Sequence, residues 1–170
     1  MTNFHSGHVE TYNENFQQVN LNGFADATIP AGFAPLGIAN LSGQIYVTYA
    51  LQDKARHADV KGPGNGFVNV FDTSGNLVTR LISNGNLNSP WGLALVGAPA
   101  TLWVGNFGDG KINNYTTAGA FIETISKADA TPLQIDGLWA LLPLGTPTKV
   151  FFSAGIADEA HGLFGFITQD

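Results

Sequence analysis

The feature that most constrains this chain is an internal repeat in which four kinds of segment recur in one order. The first kind centres on a glycine and occurs at residues 35–39, 90–94 and 135–139. A second segment, rich in β-branched and aromatic residues, follows each of these as "QIYVTY", "TLWVGN" and "KVFFSA". The third kind begins at Gly7, Gly66, Gly110 and Gly162, and the fourth follows a turn, as in "DTSGNLVTRLI" and "TTAGAFIETI". Such a recurrence indicates a repeated supersecondary unit.

The repeated segments have the character of β-strands. They are short runs rich in Val, Ile, Phe, Tyr and Trp, separated by Gly, Asn, Asp, Ser and Pro, and no window keeps a helical period. Four antiparallel strands in about 45 residues are typical of a β-propeller blade. We therefore predict an all-β half propeller of about three blades. Its expected parts are outer strands at 8–22, complete blades at 33–83 and 89–126, and three strands at 133–168.

Composition narrows the classes of function. There are 13 acidic and 7 basic residues with no run of Lys or Arg, so the chain lacks the electrostatic footprint of a nucleic-acid or anionic-membrane binder. It has no cysteine, which excludes disulfides and thiolate metal sites. No apolar stretch approaches the roughly 18 residues of a membrane span, so a soluble chain is expected.

Several long phrases also resemble a known family. The stretches "PAGFAPLGIANLSGQIYVTYA", "GPGNGFVNVFDTSGNLVTRLIS", "NSPWGLAL", "VGNFGDGKIN", "IDGLWAL" and "DEAHGLFGFIT" look like an uncharacterised bacterial propeller family related to NHL-repeat proteins. The resemblance covers essentially the whole chain and matches the family's carboxy-terminal half. It implies a six-bladed ring and an extracellular or periplasmic location.

Three blades leave a ring open, which predicts assembly. An open propeller exposes apolar flanks and unpaired strand edges. A two-fold homodimer of half rings would cover them and give six blades. We expect residues 9–21 to supply outer strands to the blade begun by residues 133–155 of a second copy, with residues 163–168 competing for that position or adding a fifth strand. The alternative is a chain that only aggregates weakly.

Histidines and carboxylates gather on one face of the predicted propeller. The connections between the second and third strands of a blade share a face with the channel mouth, and all four histidines fall in them. Imidazole with oxygen ligands suits zinc, and oxygen-rich sets suit calcium. The candidate metal ligands are His5, His8, His57, Asp59, Asp158, Glu159 and His161. The alternative is that surface loops collect such residues for turn formation.

A second candidate set could bind an organic ligand. Trp91 and Trp139 begin or follow inner-strand segments, where they would either stack on a sugar or pack between blades. Asp136 stands in an otherwise apolar run, so its carboxylate should be hydrogen-bonded, coordinated to a cation or wet. Asn106 and Asp109 complete this set.

Three functions remain open at this point. The leading hypothesis is a non-enzymatic module that binds a small polar or carbohydrate-like ligand, or a partner, on this face. The alternative is a metal-dependent hydrolase or lactonase, in which a metal-bound water attacks an ester and Asp136, Asp158, Glu159 or His161 is a ligand or general base. The third is a structural scaffold. Nucleophilic catalysis has no support, because the sequence has neither a Gly-x-Ser-x-Gly elbow nor a thiol.

Overall fold

The described residues of the chain fold into five antiparallel β-sheets. A computed structural model describes residues 1–19, 23–145 and 149–168, and within these ranges it contains strands and no helix. The prediction of an all-β fold is therefore confirmed.

The amino-terminal part forms two short hairpins. In the first, β1 (Thr2–Asn3) pairs with β2 (His8–Val9), and in the second, β3 (Thr11–Tyr12) pairs with β4 (Gln18–Val19). The outer strands predicted at 8–22 correspond to β2, β3 and β4, although residues 20–22 of that prediction lie outside the described residues.

Three larger sheets follow, each built as a meander of consecutive strands. The first comprises β5 (Phe33–Leu41), β6 (Gln44–Leu51), β7 (Gly66–Phe71) and β8 (Leu77–Ser83). The second comprises β9 (Pro90–Val96), β10 (Thr101–Asn106), β11 (Ile112–Tyr115) and β12 (Phe121–Thr124). The third comprises β13 (Leu138–Leu144), β14 (Lys149–Ile156) and β15 (His161–Thr168).

The sheets pack side by side, with an apolar layer in each interval. Because strand side chains alternate between faces, the first and second large sheets each contribute to the layer before them and the layer after them, and the third contributes to the layer before it. Val47, Tyr49, Phe67 and Phe71 of the first large sheet pack towards the amino-terminal hairpins. The layer between the first and second large sheets holds Val68, Leu87, Leu102, Val104 and Tyr115, and the next holds Trp103, Ile112, Leu138 and Val150.

Glycines on the inner strands set how closely these sheets approach. A Cβ atom on Gly92 of β9 would lie 2.8 Å from the carbonyl oxygen of Trp139 in β13. A Cβ on Gly37 of β5 would lie even closer to the carbonyl oxygen of Trp91 in β9. These two glycines belong to the recurring series of the sequence, so one function of the repeat is to let neighbouring inner strands approach.

One end of the sheets collects the candidate site residues. In each large sheet, the start of the first strand pairs with the end of the second: Phe33 with Leu51, Pro90 with Asn106, and Leu138 with Ala154. The connection from the second strand to the third therefore emerges beside the start of the first strand. We call this the loop end; it comprises residues 52–65, 107–111 and 157–160 and the starts of β5, β9 and β13.

A buried ion pair fastens the segment before β5 to the first large sheet. Asp26, whose side chain is only 1% exposed, accepts hydrogen bonds from the Arg80 guanidinium in β8 and from Asn69 Nδ2 in β7 at 3.0 Å. The backbone N–H and hydroxyl of Thr28 also donate to this carboxylate. Burial alone would raise the pKa of Asp26, but these donors together lower it to about 2.

The third large sheet leaves one flank exposed. Leu142, Leu144, Phe164 and Phe166 are each more than half exposed there, and Phe164 reaches 73%. Strand β15 pairs with β14 over eight residues, from Lys149–Thr168 to Ile156–His161. This chain's own β15 thus takes the place beside β14, as in the alternative in which residues 163–168 compete for that position, and the contribution of residues 9–21 of a second copy stays a prediction. Among the residues described, no helix is long and apolar enough to cross a membrane.

Candidate functional site

Three aromatic rings form a cluster at the loop end. The Trp91 ring lies 5.8 Å from the Phe107 ring and 6.5 Å from the Trp139 ring, measured between centroids. All three side chains are half-buried, so one part of each ring packs on the protein and another part faces solvent. We call Trp91, Phe107 and Trp139 the aromatic platform.

The fold places these rings for identifiable reasons. Trp91 follows Pro90 at the start of β9, and Trp139 is the second residue of β13. The close approach of Gly92 to the Trp139 carbonyl brings the two strand starts together. Phe107 comes directly after β10, whose last residue pairs with Pro90. Two neighbouring sheets thus contribute to one aromatic surface.

Charged groups flank the aromatic platform on two sides. The Lys61 ammonium lies 4.6 Å from the centroid of the Phe107 ring, within the range of a cation–π contact. The indole N–H of Trp139 donates to Glu159 Oε1 at 3.0 Å, which fixes the orientation of this ring. Both charged side chains are exposed. The site therefore offers flat apolar faces bordered by one hydrogen-bond donor and one acceptor.

Asp136 lies close to the platform but is held by the backbone. Its Oδ2 atom accepts a hydrogen bond from the Ala157 N–H at 3.1 Å, and the residue is exposed. Of the environments expected for this carboxylate, the structure therefore gives one that is hydrogen-bonded and open to water. Its contact organises the loop that carries Glu159.

Asn106 and Asp109 occupy a structural position. Asn106 is fully buried, and its amide donates to the Asn86 carbonyl at 2.9 Å and to Asp109 Oδ1 at 3.1 Å. Its Oδ1 accepts from the Asn88 N–H. Asp109 also lies 3.5 Å from the Lys111 ammonium. These groups hold the segment before β9 onto the second large sheet, and a ligand contact by Asn106 or Asp109 stays a prediction without geometric support.

The histidines divide between separate places. The His5 and His57 rings lie 4.8 Å apart, and His5 Nδ1 lies 3.1 Å from the Arg56 carbonyl oxygen. The loop that carries His57 is shaped by Asp53, whose Oδ1 accepts from the His57 N–H at 2.8 Å. This hydrogen bond is the main cause of the lowered pKa of Asp53. His8 begins β2 and His161 begins β15.

The predicted metal ligands do not converge within the described ranges. No group of three or more His, Asp or Glu side chains there is arranged to hold a metal ion. Asp59 lies in the loop with His57, whereas Asp158, Glu159 and His161 lie around the β14–β15 connection. The metal role of these residues stays a prediction, and the His5 and His57 rings are one pair of predicted ligands that the structure brings together.

Sequence reasoning missed several residues of interest. Lys61 and Phe107 were not singled out, because a cation over a ring joins two loops that are far apart in the sequence. Asp26 was missed as well, although "ADAT" at 25–28 recurs at 128–131. Glu159 was predicted as a metal ligand, and its contact with the Trp139 indole was not foreseen.

Comparison with known proteins gives relatives without an assigned activity. No protein-family model matches the chain. Uncharacterized protein L690 of Acanthamoeba polyphaga mimivirus is 31% identical over 181 residues, covering 100% of this chain and 48% of that protein. Uncharacterized protein R648 of the same virus is 34% identical, covering 84% of this chain and 37% of its own length. Uncharacterized protein R640 of the same virus is 30% identical, and the match covers 81% of this chain and 28% of that protein.

These findings correct the resemblance drawn from the sequence phrases. The relatives are viral, and neither a bacterial family nor an NHL-repeat family is matched, so that assignment is wrong. The extracellular or periplasmic location rested on the resemblance and loses its basis. The chain spans less than half the length of each of these relatives.

Proposed function

We propose that this chain is a non-enzymatic binding module that holds a small polar or carbohydrate-like ligand on the aromatic platform. The observation that carries the proposal is the convergence of Trp91, Phe107 and Trp139 from two sheets, with all three rings partly open to solvent. Sugar rings present flat C–H faces that pack on aromatic rings, while their hydroxyl groups need donors and acceptors at the rim. Lys61 and Glu159 offer those groups.

The architecture that would support this site is a half propeller. Each large sheet is a meander whose first strand packs beside the first strand of the next sheet, and the three sheets succeed one another with the same orientation. The two complete sheets have the four strands of a propeller blade. In this arrangement the loop end borders the channel, and the aromatic platform lies at its mouth.

A second copy would complete the ring. The exposed flank of the third large sheet, with Leu142, Leu144 and Phe164, is an apolar surface of the kind that proteins cover. The amino-terminal hairpins form the opposite boundary of the chain, where Phe16 is 89% exposed. We propose that these two surfaces pack together twice in a two-fold dimer, which gives a ring from the six large sheets of two copies.

The ligand proposal is tested by carbohydrate binding. A glycan array with the intact chain identifies ligands, and titration followed by tryptophan fluorescence measures affinity. We expect Trp91→Ala and Trp139→Ala each to weaken binding by about tenfold or more, as for central aromatic contacts. The matched control is Phe121→Ala, which removes an exposed aromatic side chain from β12. Denaturant unfolding of each variant confirms that it is folded.

The results separate the candidate functions. Binding that is lost in both tryptophan variants and kept in Phe121→Ala supports the proposal. An array with no bound glycan, or unchanged affinity in the tryptophan variants, refutes it and favours the structural scaffold. The hydrolase alternative is favoured by no specific contact among the described residues, since its predicted ligands do not form a group of three.

A further inference from the structure

One four-residue sequence occurs twice in the chain, with the same side-chain hydrogen bonds and different surroundings. Residues 25–28 and 128–131 both read Ala-Asp-Ala-Thr, and each precedes the inner strand of a sheet. In the first, Asp26 Oδ1 accepts from the N–H and hydroxyl of Thr28 at 2.9 and 2.7 Å. In the second, Asp129 Oδ1 accepts from the same two groups of Thr131 at 3.0 and 2.5 Å. The two carboxylates therefore accept the same pair of hydrogen bonds, although the backbone differs. The Ile29 N–H donates to the Asp26 carbonyl in the first segment, whereas the Ala130 N–H donates to the Lys127 carbonyl in the second, where Ala130 has a φ of 63°.

The first turn is completed by the fourth strand of the sheet that follows it. The Arg80 guanidinium of β8 binds the second carboxylate oxygen of Asp26. Arg80 lies opposite Asn69 of β7, and Asn69 lies opposite Val47 of β6. A fourth strand with an arginine at this register therefore fastens the preceding turn to the sheet.

The second turn lacks that strand among the described residues. It precedes the third large sheet, which there consists of β13, β14 and β15, so β15 forms an edge with unpaired backbone groups. Asp129 is exposed, and neither ion pair found within the described ranges includes it. The repeated turn thus presents a carboxylate whose counterpart elsewhere in this chain binds a guanidinium.

A groove runs beside this edge. Its volume is about 550 Å³, and it is lined by residues of the connection after β12 and by the end of β15, among them Lys127, Ala128, Leu133, Phe166 and Ile167. The groove joins the second turn to β15. Phe166 is 53% exposed and presents an apolar surface to anything that pairs with this strand.

The strand register locates the position that an arginine would take. Strands β6 and β14 are the second strands of their sheets, and they begin at Gln44 and Lys149. Val47 and Phe152 each lie three residues after that start, so they occupy equivalent positions. Phe152 lies opposite Gly165 of β15, just as Val47 lies opposite Asn69 of β7. The counterpart of Arg80 is therefore a residue opposite Gly165.

We propose that the edge of β15 docks an antiparallel β-strand of a partner polypeptide that carries an arginine opposite Gly165, and that this arginine binds Asp129. Main-chain hydrogen bonds would supply affinity, and the guanidinium–carboxylate contact would supply register and selectivity. The amino-terminal hairpins of a second copy do not meet this requirement, because the first 53 residues contain no Lys or Arg. The site lies away from the aromatic platform and stands independently of ligand binding there.

The test uses the chain's own fourth strand as a probe. A fluorescently labelled peptide with the sequence of residues 76–84, "NLVTRLISN", is titrated against the intact protein by fluorescence anisotropy. We expect saturable binding that weakens about tenfold when the peptide arginine is replaced by glutamine, since hydrogen bonds between charged groups are the strong ones. Asp129→Asn should weaken the arginine peptide equally and leave the glutamine peptide unchanged. The control, Asp72→Asn, alters a half-buried carboxylate in another turn and should change neither affinity.

Hydrogen exchange identifies the strand that is used. Bound peptide should slow amide exchange in residues 161–168. Three results would overturn the proposal: no binding at millimolar peptide, equal affinity of the arginine and glutamine peptides, or protection of β8 in place of β15. Unchanged affinity in Asp129→Asn would also contradict it, because the arginine would then have another acceptor.

Discussion

Replacing Asp26 by asparagine should destabilise the protein far more than the same change at Asp129. Both carboxylates accept the same two hydrogen bonds from a threonine two residues later, and asparagine keeps an oxygen that can accept them. Only Asp26 is buried against a guanidinium. The difference in stability between the two variants therefore measures the contribution of the ion pair without that of the turn hydrogen bonds.

The expected loss of stability in Asp26→Asn follows from the pKa of Asp26. A carboxyl group that titrates near 3.8 when exposed and at about 2 in the folded protein contributes about 2 kcal/mol of stability at neutral pH. The substitution also leaves the Arg80 guanidinium, 24% exposed, without its partner. We expect a loss of about 2–3 kcal/mol for Asp26→Asn and of about 0.5 kcal/mol or less for Asp129→Asn.

The effect should depend on pH with a definite sign. Because folding lowers the pKa of Asp26, its contribution is fully present above about pH 5 and is lost as the pH falls through about 2. The stability difference between the wild type and Asp26→Asn should therefore shrink over that interval. Urea unfolding of the wild type and both variants at pH 7 and near pH 3 measures it. Equal stability of the two variants at pH 7, or a difference that grows on acidification, would refute this account of the pair.

Two further predictions concern packing and titration. Gly92→Ala should lower the free energy of unfolding by about 1–3 kcal/mol, because the added Cβ meets the Trp139 carbonyl. The control is Gly162→Ala, whose Cβ meets nothing within 4 Å and which should be nearly neutral. Equal losses of stability in denaturant unfolding would contradict the close approach of the inner strands. Burial raises the pKa of Tyr49 and of Tyr115 to about 12. At about pH 10.5 these two side chains should therefore remain largely protonated. A tyrosinate absorbance equal to that of the unfolded chain at this pH would show that they are not buried.

The sequence was most informative where one residue type performs the same function in each repeat. Gly37 and Gly92 recur because the neighbouring inner strand leaves no space for a Cβ, and the segments between turns are the short β-branched and aromatic runs that a sheet buried on both faces requires. These local rules were enough to predict an all-β chain.

The candidate site was less predictable because its contacts join distant segments. Lys61 meets Phe107 across 46 residues, and Trp139 meets Glu159 across the β14 strand. The histidines shared a predicted face, yet only His5 and His57 are in contact among the described residues. A shared face places side chains within a wide area, whereas a metal site needs ligands within a few ångströms of one point.

The mass of the protein in solution tests most directly the claim that two half rings cover each other's open flanks. Light scattering at micromolar concentration should give about 36 kDa, twice the 17.9 kDa of one chain. The dimer should dissociate when Phe164, 73% exposed on the apolar flank, is replaced by serine. A mass of 17.9 kDa for the wild type would contradict the ring and leave the aromatic platform as the property of a single open chain.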